Sequence, residues 1–197
     1  MSKIRKITIT AILAALSTVL MSLSFSVPLV PSFLKLDFSD FPALVASFAI
    51  GPFYGAVVCL VKNMVNVLFT TTGGVGELCN FILSAVFVVA AGLLKNKIRG
   101  FKGIVIGSVS GAVAMAAIGI ITNYFVVYPM YSLIIPMDVI LNAYRLIYPQ
   151  TRNLLHALII FNMPFTLFKG LINAAVAVIV LKRLLPFLMR ILPFKTK

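Results

Sequence analysis

Two long stretches of this chain carry no charged side chain, and they limit its fold more than any other feature. Residues Ile7–Leu34 and Gly103–Met137 contain no Asp, Glu, Lys or Arg. A helix needs about 20 mostly apolar residues to cross a membrane, and each stretch exceeds that length. Only 11% of all residues are charged, whereas soluble domains average about 25%. We therefore predict an all-α integral membrane protein with a single transmembrane domain over residues 1–197.

The cations are grouped in a way that predicts the orientation in the membrane. Twelve of the 17 Lys and Arg residues flank apolar runs, which is the pattern of cytoplasmic loops. We therefore expect the cations, which give a net charge of +13, to contact anionic membrane lipid, and we expect no nucleic acid as partner. Both chain ends are predicted to lie on the cytoplasmic side of the cell membrane. The first apolar run is long and more runs follow, so we interpret it as a retained helix rather than a signal peptide. The three clusters are Lys3, Arg5 and Lys6; Lys95, Lys97, Arg99 and Lys102; and Lys182, Arg183, Arg190, Lys195 and Lys197.

The apolar stretch Phe41–Phe69 decides how many helices cross the membrane. One span here would put the 95–102 cluster on the opposite side from the first cluster, whereas two spans put every basic cluster on one side. We therefore predict a tight hairpin with its turn at Gly51–Gly55, and six transmembrane helices in total. The other predicted helices are Ile7–Ser26, Glu77–Leu94, Gly103–Val127 and Asn153–Leu184, with external connections at Val27–Asp40, Thr70–Gly76 and Tyr128–Arg152.

A few polar residues within the predicted spans are candidates for a binding site, because such groups are costly in lipid. They are expected to converge and to form a pocket for a polar small molecule. Alternatives remain open: Glu77 as a carboxylate that only favours a helix start, or Lys62 or Lys169 as its structural ion-pair partner. The candidates are Lys62, Asn63 and Asn66 on the third helix, Glu77 and Asn80 on the fourth, Asn123 on the fifth, and Asn162, Thr166, Lys169 and Asn173 along one stripe of the sixth.

Small residues and missing motifs limit the function further. Ala11 and Ala15 lie four apart on the first helix, a spacing that lets another helix approach closely, and we expect a partner subunit there. The sequence has no phosphate-binding P-loop, no nucleophile elbow and no cluster of metal ligands, so we predict a binding subunit that is not an enzyme. Two other classes stay open: a self-sufficient carrier, and an intramembrane enzyme with Glu77 and Lys169 as acid and base.

A set of short motifs in a fixed order resembles one known family. Nearly the whole chain is similar to the riboflavin-specific S components of energy-coupling factor (ECF) vitamin transporters. The motifs are the segment from Leu34 to Leu44, Gly51-Pro52-Phe53-Tyr54-Gly55, Lys62-Asn63, Gly74-Val75-Gly76-Glu77, Asn80-Phe81, Asn123-Tyr124, Pro164-Phe165 and Lys169-Gly170.

The resemblance implies a six-helix S component that binds riboflavin from outside as a transported ligand, with no cofactor. Its implied partners are a transmembrane T subunit and two cytoplasmic ATPases, with Ala11 and Ala15 matching the docking face and Val27–Asp40 covering the substrate. An S component for another vitamin, or for flavin mononucleotide with Lys35, Arg145 or Arg152 near its phosphate, is the alternative. Thr166 departs from the Asn expected there, and Tyr128–Arg152 is longer than expected. The predicted substrate-binding residues are Asp40, Leu44, Lys62, Glu77, Asn80, Asn123, Thr166 and Lys169.

Overall fold

Helices make up almost all of the regular structure in a computed structural model that describes residues 1–28, 30–31, 33–70 and 72–191, with side chains described as far as Arg183. Residues 192–197, which include the predicted basic Lys195 and Lys197, lie outside the described part. Two π-helical turns, Asn123–Val127 and Leu158–Asn162, interrupt long helices, and a 3-10 turn covers Val67–Phe69. The helices are α1 Lys3–Ser22, α2 Asp40–Ala49, α3 Pro52–Asn66, α4 Val75–Lys97, α5 Gly100–Thr122, α6 Tyr128–Ser132, α7 Met137–Arg145, α8 Leu154–Ala157 and α9 Met163–Ile191.

Five helical stretches of the described chain are long and apolar enough to cross a membrane, as the apolar runs predict. The short helix α2 is also apolar, but its 10 residues extend only about 15 Å. The prediction of a helical membrane protein is therefore confirmed, whereas α2 alone does not reach the length of a span. The five stretches are Lys3–Ser22, Pro52–Phe69, Val75–Lys97, Gly100–Ser132 and Leu154–Arg183.

The predicted hairpin within 41–69 is a pair of packed helices, α2 and α3. The chain turns at Gly51, whose φ of 140° lies in a region that favours glycine, and Pro52 opens α3, where a missing N–H costs nothing. Gly55 lies inside α3 rather than in the turn. A Cβ atom on Gly55 would lie 2.8 Å from Cβ of Ser47 and 2.9 Å from the carbonyl oxygen of Ala43, so this glycine lets the two helices touch.

Two of the differences between predicted and observed boundaries change which elements the chain contains. The first helix ends at Ser22 rather than at Ser26, because Phe25–Ser26 (β1) pairs antiparallel with Lys35–Leu36 (β2). The connection predicted for Tyr128–Arg152 contains the helices α6 and α7. The fifth helix continues into α6 because Pro129 falls in the first turn of α6, where proline is tolerated.

The segment before α2 enters the bundle instead of remaining at its surface. Ser17 of α1 donates a hydrogen bond of 2.6 Å to the carbonyl of Ser39. Asn173 of α9 accepts from the backbone N–H groups of Asp40 and Phe41, at 3.1 and 3.0 Å, and donates to the carbonyl of Asp37 at 2.9 Å. A side chain of α9 therefore caps the start of α2, which satisfies backbone groups that lipid could not.

Glycines of α5 allow it to lie directly on α4. A Cβ atom on Gly107 would lie 2.6 Å from the carbonyl oxygen of Ala91, and one on Gly111 would lie 2.6 Å from that of Phe87. On α1, by contrast, Ala11 and Ala15 are exposed while Ala14 is buried. The predicted docking residues are therefore on the outside of the bundle.

Candidate functional site

One end of the bundle encloses a cavity of about 900 Å³, within the range of small-molecule sites. It lies between the end of α1, the segment 33–37, the start of α4, the end of α5 and the start of α9. The opposite end carries the basic connection between α4 and α5. We call these the cavity end and the basic end. Five of the predicted binding residues line the cavity, namely Glu77, Asn80, Asn123, Thr166 and Lys169.

Lys169 is the central cation of the cavity wall. Its ammonium nitrogen lies 2.7 Å from Oδ2 of Asp37 and 2.9 Å from Oδ1 of Asn80. The side chain of Lys169 is only 7% exposed, and a buried ammonium needs a paired anion to remain charged. The amide of Asn80 also donates to Oδ1 of Asn63 at 3.0 Å, so α3, α4 and α9 meet at this point.

Asp37 is the anion of this pair and lies in the segment that enters the bundle. Its Oδ1 accepts hydrogen bonds from the backbone N–H of Ser39, at 2.9 Å, and from its hydroxyl, at 2.5 Å. The ammonium of Lys169 and these two hydrogen bonds together satisfy the buried carboxylate.

A second buried ion pair lies directly behind the first. The ammonium of Lys62 bonds Oδ1 of Asp40 at 2.5 Å and the hydroxyl of Ser39 at 2.6 Å, and both charged side chains are fully buried. Neither residue lines the cavity, and Leu44 lies fully buried in the core of the bundle. The structure thus places Asp40, Leu44 and Lys62 behind the cavity wall, where they support the segment that carries Asp37.

Glu77 faces the cavity, and no lysine of the described residues pairs with it. Its Oε2 accepts hydrogen bonds from the hydroxyls of Thr70, at 2.8 Å, and Thr72, at 3.2 Å. The alternative that Lys62 or Lys169 pairs with Glu77 is wrong, since both lysines bond aspartates. The carboxylate remains at the cavity surface as a hydrogen-bond acceptor.

Both π-helical turns bring an asparagine to the cavity. Asn123 begins one turn and donates a hydrogen bond of 2.7 Å to the carbonyl of Gly119. Asn162 ends the other turn and donates a hydrogen bond of 3.1 Å to the hydroxyl of Tyr128, while its Oδ1 accepts one of 2.6 Å from the hydroxyl of Tyr144. Such turns widen a helix locally and recur at functional sites.

The rest of the wall is largely apolar. Thr166 lies one turn before Lys169 and is almost fully buried. An apolar cavity with a few fixed polar groups suits a ligand that has both an aromatic and a polar part. The apolar wall residues include Met21, Phe33, Leu83, Met115, Val127 and Phe165.

Sequence reasoning did not select Asp37, Tyr128 or Tyr144. Asp37 is one of only four acidic residues, and that scarcity in an apolar chain was the available signal. Asn162 lies on the predicted stripe of the sixth helix but is not among the predicted substrate-binding residues. The tyrosines gave no signal because their hydroxyl contacts join α6, α7 and the turn before α9.

A helical membrane protein with an enclosed site for a small molecule is the class that this fold and cavity define. The family described as the ECF transporter substrate-specific component matches residues 5–181, and the chain belongs to that family. A Staphylococcus aureus protein named riboflavin transporter RibU is 36% identical, covering 95% of this chain and 93% of its own.

Two further comparisons agree with the family. A Bacillus subtilis protein named riboflavin transporter FmnP is 28% identical, covering 94% of this chain and 95% of its own. A solved structure described as the S component of a bacterial ECF transporter is 32% identical and superimposes with a TM-score of 0.77, covering 95% of this chain and 99% of that one. These comparisons confirm the ECF S-component family that the motif resemblance predicts.

Proposed function

We propose that this chain binds riboflavin in the cavity and serves as the riboflavin-specific S component of an ECF importer. One observation carries the proposal. The same cavity, at one end of the bundle, is lined by Glu77, Asn80, Asn123, Thr166 and Lys169. Relatives along nearly the full length are named riboflavin transporters, which supports the same ligand.

The charges of the cavity favour a neutral ligand. Lys169 is balanced by Asp37, and Glu77 adds a carboxylate that would repel a phosphate. Riboflavin has an uncharged tricyclic ring and a polyol chain, which match apolar walls and amide or hydroxyl partners. Flavin mononucleotide is the second candidate because Lys35 lines the cavity. Arg145 and Arg152 are not among the residues that line it.

The contacts of Glu77 and Lys169 support binding rather than acid–base chemistry. Lys169 is held by an aspartate and an asparagine, and Glu77 by two threonine hydroxyls. Each group is thus fixed in position by its own hydrogen-bond partners, as the binding of a ligand requires. We propose that the chain is not an enzyme and uses no cofactor.

We further propose six membrane crossings, of which the second along the chain is made of two parts. The chain leaves α1 at the cavity end and begins α3 near the basic end, beside Lys95 and Lys97. The segment 35–39 and the short helix α2 cover that distance together. Six crossings put both chain ends on the cytoplasmic side, together with the basic end, and leave the cavity open to the outside.

The exposed Ala11 and Ala15 are proposed to dock a transmembrane T subunit that works with two ATPases. Small side chains allow close helix contact, and both lie on the outer surface of α1. The chain itself has no P-loop, so its energy must come from those partners. Uptake by proteoliposomes that contain this chain alone would instead support the self-sufficient carrier.

The direct test is to purify the protein from cells supplied with riboflavin and record its visible spectrum. We expect flavin absorption at one flavin per chain, and quenching of riboflavin fluorescence on titration. Asn80→Ala should weaken binding, whereas Asn142→Ala, on the exposed surface of α7, should not. A colourless protein that does not quench riboflavin fluorescence would refute the proposal, and tighter binding of flavin mononucleotide would change the ligand.

A further inference from the structure

Two tyrosines and an asparagine form a closed hydrogen-bonded cluster beside the cavity. Tyr128 begins α6, Tyr144 lies near the end of α7, and Asn162 ends the π-helical turn before α9. The amide of Asn162 donates to the hydroxyl of Tyr128 at 3.1 Å, and the hydroxyl of Tyr144 donates to Oδ1 of Asn162 at 2.6 Å. The two tyrosine hydroxyls also bond each other. All three side chains are almost fully buried, so α7 is joined to the wall of the site by polar contacts.

The hydrogens of this cluster can be assigned one by one. A tyrosine hydroxyl has one hydrogen and an asparagine amide has two. The hydrogen of Tyr144 goes to Asn162, so Tyr128 must donate the bond between the two hydroxyls. One amide hydrogen of Asn162 goes to Tyr128, and no bond joins the second to another of the described residues. An amide turned the other way round would reverse the ring of bonds and leave over the same kind of hydrogen.

Two of the three members of the cluster line the cavity. Asn162 and Tyr128 are in its wall, whereas Tyr144 is not among the lining residues. A buried N–H group that lacks an acceptor costs free energy, and that cost is removed when a ligand supplies the acceptor. The second N–H of Asn162 therefore favours a ligand that brings an acceptor atom to this part of the wall.

Aromatic side chains surround the cluster and favour the ring of a ligand over its polar chain. Phe33 packs edge-on against Tyr144 with ring centres 5.8 Å apart, and Tyr131 packs against Tyr128 at 6.0 Å. Both Phe33 and Tyr131 line the cavity, and flat aromatic rings pack well on such walls. A polyol hydroxyl also brings a hydrogen of its own, for which the carboxylate of Glu77 is the better partner.

We propose that Asn162 is a specificity-determining residue that donates its second amide hydrogen to a carbonyl oxygen on the ring of the ligand. Tyr144 is a positioning residue, which holds that amide in place from α7 without touching the ligand. This inference rests on the proposed function, since it takes riboflavin as the ligand. The ring of riboflavin carries carbonyl oxygens at its edge, and these only accept hydrogen bonds.

The test titrates riboflavin and lumichrome, which keeps the tricyclic ring and its carbonyl groups but has no polyol chain, against the full chain in detergent. We expect both ligands to bind Asn162→Leu at least about 10-fold more weakly than wild type, and Tyr144→Phe about five-fold more weakly. Tyr148→Phe is the matched control, because it also loses a tyrosine hydrogen bond, but to Gln150 on the exposed surface. It should bind both ligands within about two-fold of wild type.

Two further readouts separate positioning from a general structural role. Tyr144→Phe should cause no additional loss of binding when it is added to Asn162→Leu, because both changes remove the same contact with the ligand. In infrared difference spectra, a ring carbonyl band of bound riboflavin should move to higher frequency in Tyr144→Phe and stay unchanged in Tyr148→Phe. Tyr144→Phe keeps the aromatic ring, so it decides the matter if Asn162→Leu does not fold.

Different results would overturn the inference alone or together with the proposed function. A wild type that does not bind riboflavin would overturn both. If the wild type binds riboflavin, a Tyr144→Phe variant with wild-type affinity and an unchanged carbonyl band would overturn only the inference. Weaker binding of riboflavin but not of lumichrome by Asn162→Leu would assign the amide to the polyol chain, and would overturn the contact with the ring.

Discussion

The ammonium of Lys169 on α9 lies 2.7 Å from a carboxylate oxygen of Asp37, a residue 132 positions earlier in the chain. This ion pair joins the cavity to the segment that precedes α2. Ser39 connects it to the second pair, Lys62 and Asp40, because its hydroxyl bonds both Asp37 and Lys62. Two cations and two anions thus form one buried, neutral group across three parts of the fold.

The first prediction separates stability from binding at this pair. Lys169→Met leaves the Asp37 carboxylate buried and without its main partner, and breaking a buried pair typically costs about 3–5 kcal/mol. The double variant Lys169→Met/Asp37→Asn removes both charges, so we expect it to recover most of the melting temperature. Both variants should bind riboflavin at least about 10-fold more weakly, because each lacks the cavity ammonium.

Thermal unfolding measures the stability, and fluorescence titration measures the riboflavin binding, of the wild type, the single variant and the double variant. Asp37→Asn alone serves as the control that keeps Lys169. A double variant that binds riboflavin like the wild type would contradict a role for Lys169 in the cavity. A single variant as stable as the wild type would contradict the energetic importance of the pair.

The sequence predicted the helices and one wall of the cavity because both depend on local spacing. Asn162, Thr166 and Lys169 follow the helical period, and all three line the cavity. Glu77 and Asn80 likewise share one face of α4. The charge clusters also placed Lys95 and Lys97 at the end opposite the cavity.

The missed features depend on contacts between distant parts of the chain. Nothing local to Asp37 indicates that it meets Lys169, and no hydrophobic period indicates that Asn173 caps α2. The π turn at Asn123 gave no local signal, since α5 is apolar on nearly all of its faces and the shift that one extra residue causes in the helical period is therefore not visible. The contact of Lys62 with Asp40 likewise has no local signal, because Asp40 precedes Lys62 by 22 residues and belongs to another helix.

The second prediction tests the cap that α9 provides for α2. Asn173→Leu removes three hydrogen bonds to buried backbone groups of Asp37, Asp40 and Phe41, each worth about 1 kcal/mol. We expect a loss of about 3 kcal/mol, and weaker riboflavin binding because the segment that carries Asp37 loosens.

Asn142→Leu is the control because Asn142 is exposed on α7, and denaturant unfolding with fluorescence detection gives both stabilities. Equal stability of Asn173→Leu and wild type would show that α2 does not depend on this cap.

The last prediction concerns the exposed small residues of α1. Ala15→Leu enlarges a side chain that is exposed on the outer surface, so riboflavin binding and the melting temperature should stay close to wild type. Close approach of a partner helix requires small side chains, so riboflavin uptake by whole cells should fall at least about 10-fold. Ile12→Leu, also exposed on α1, changes shape but not size and should leave uptake normal. Uptake that remains normal in Ala15→Leu cells with wild-type amounts of protein would show that the T subunit docks elsewhere.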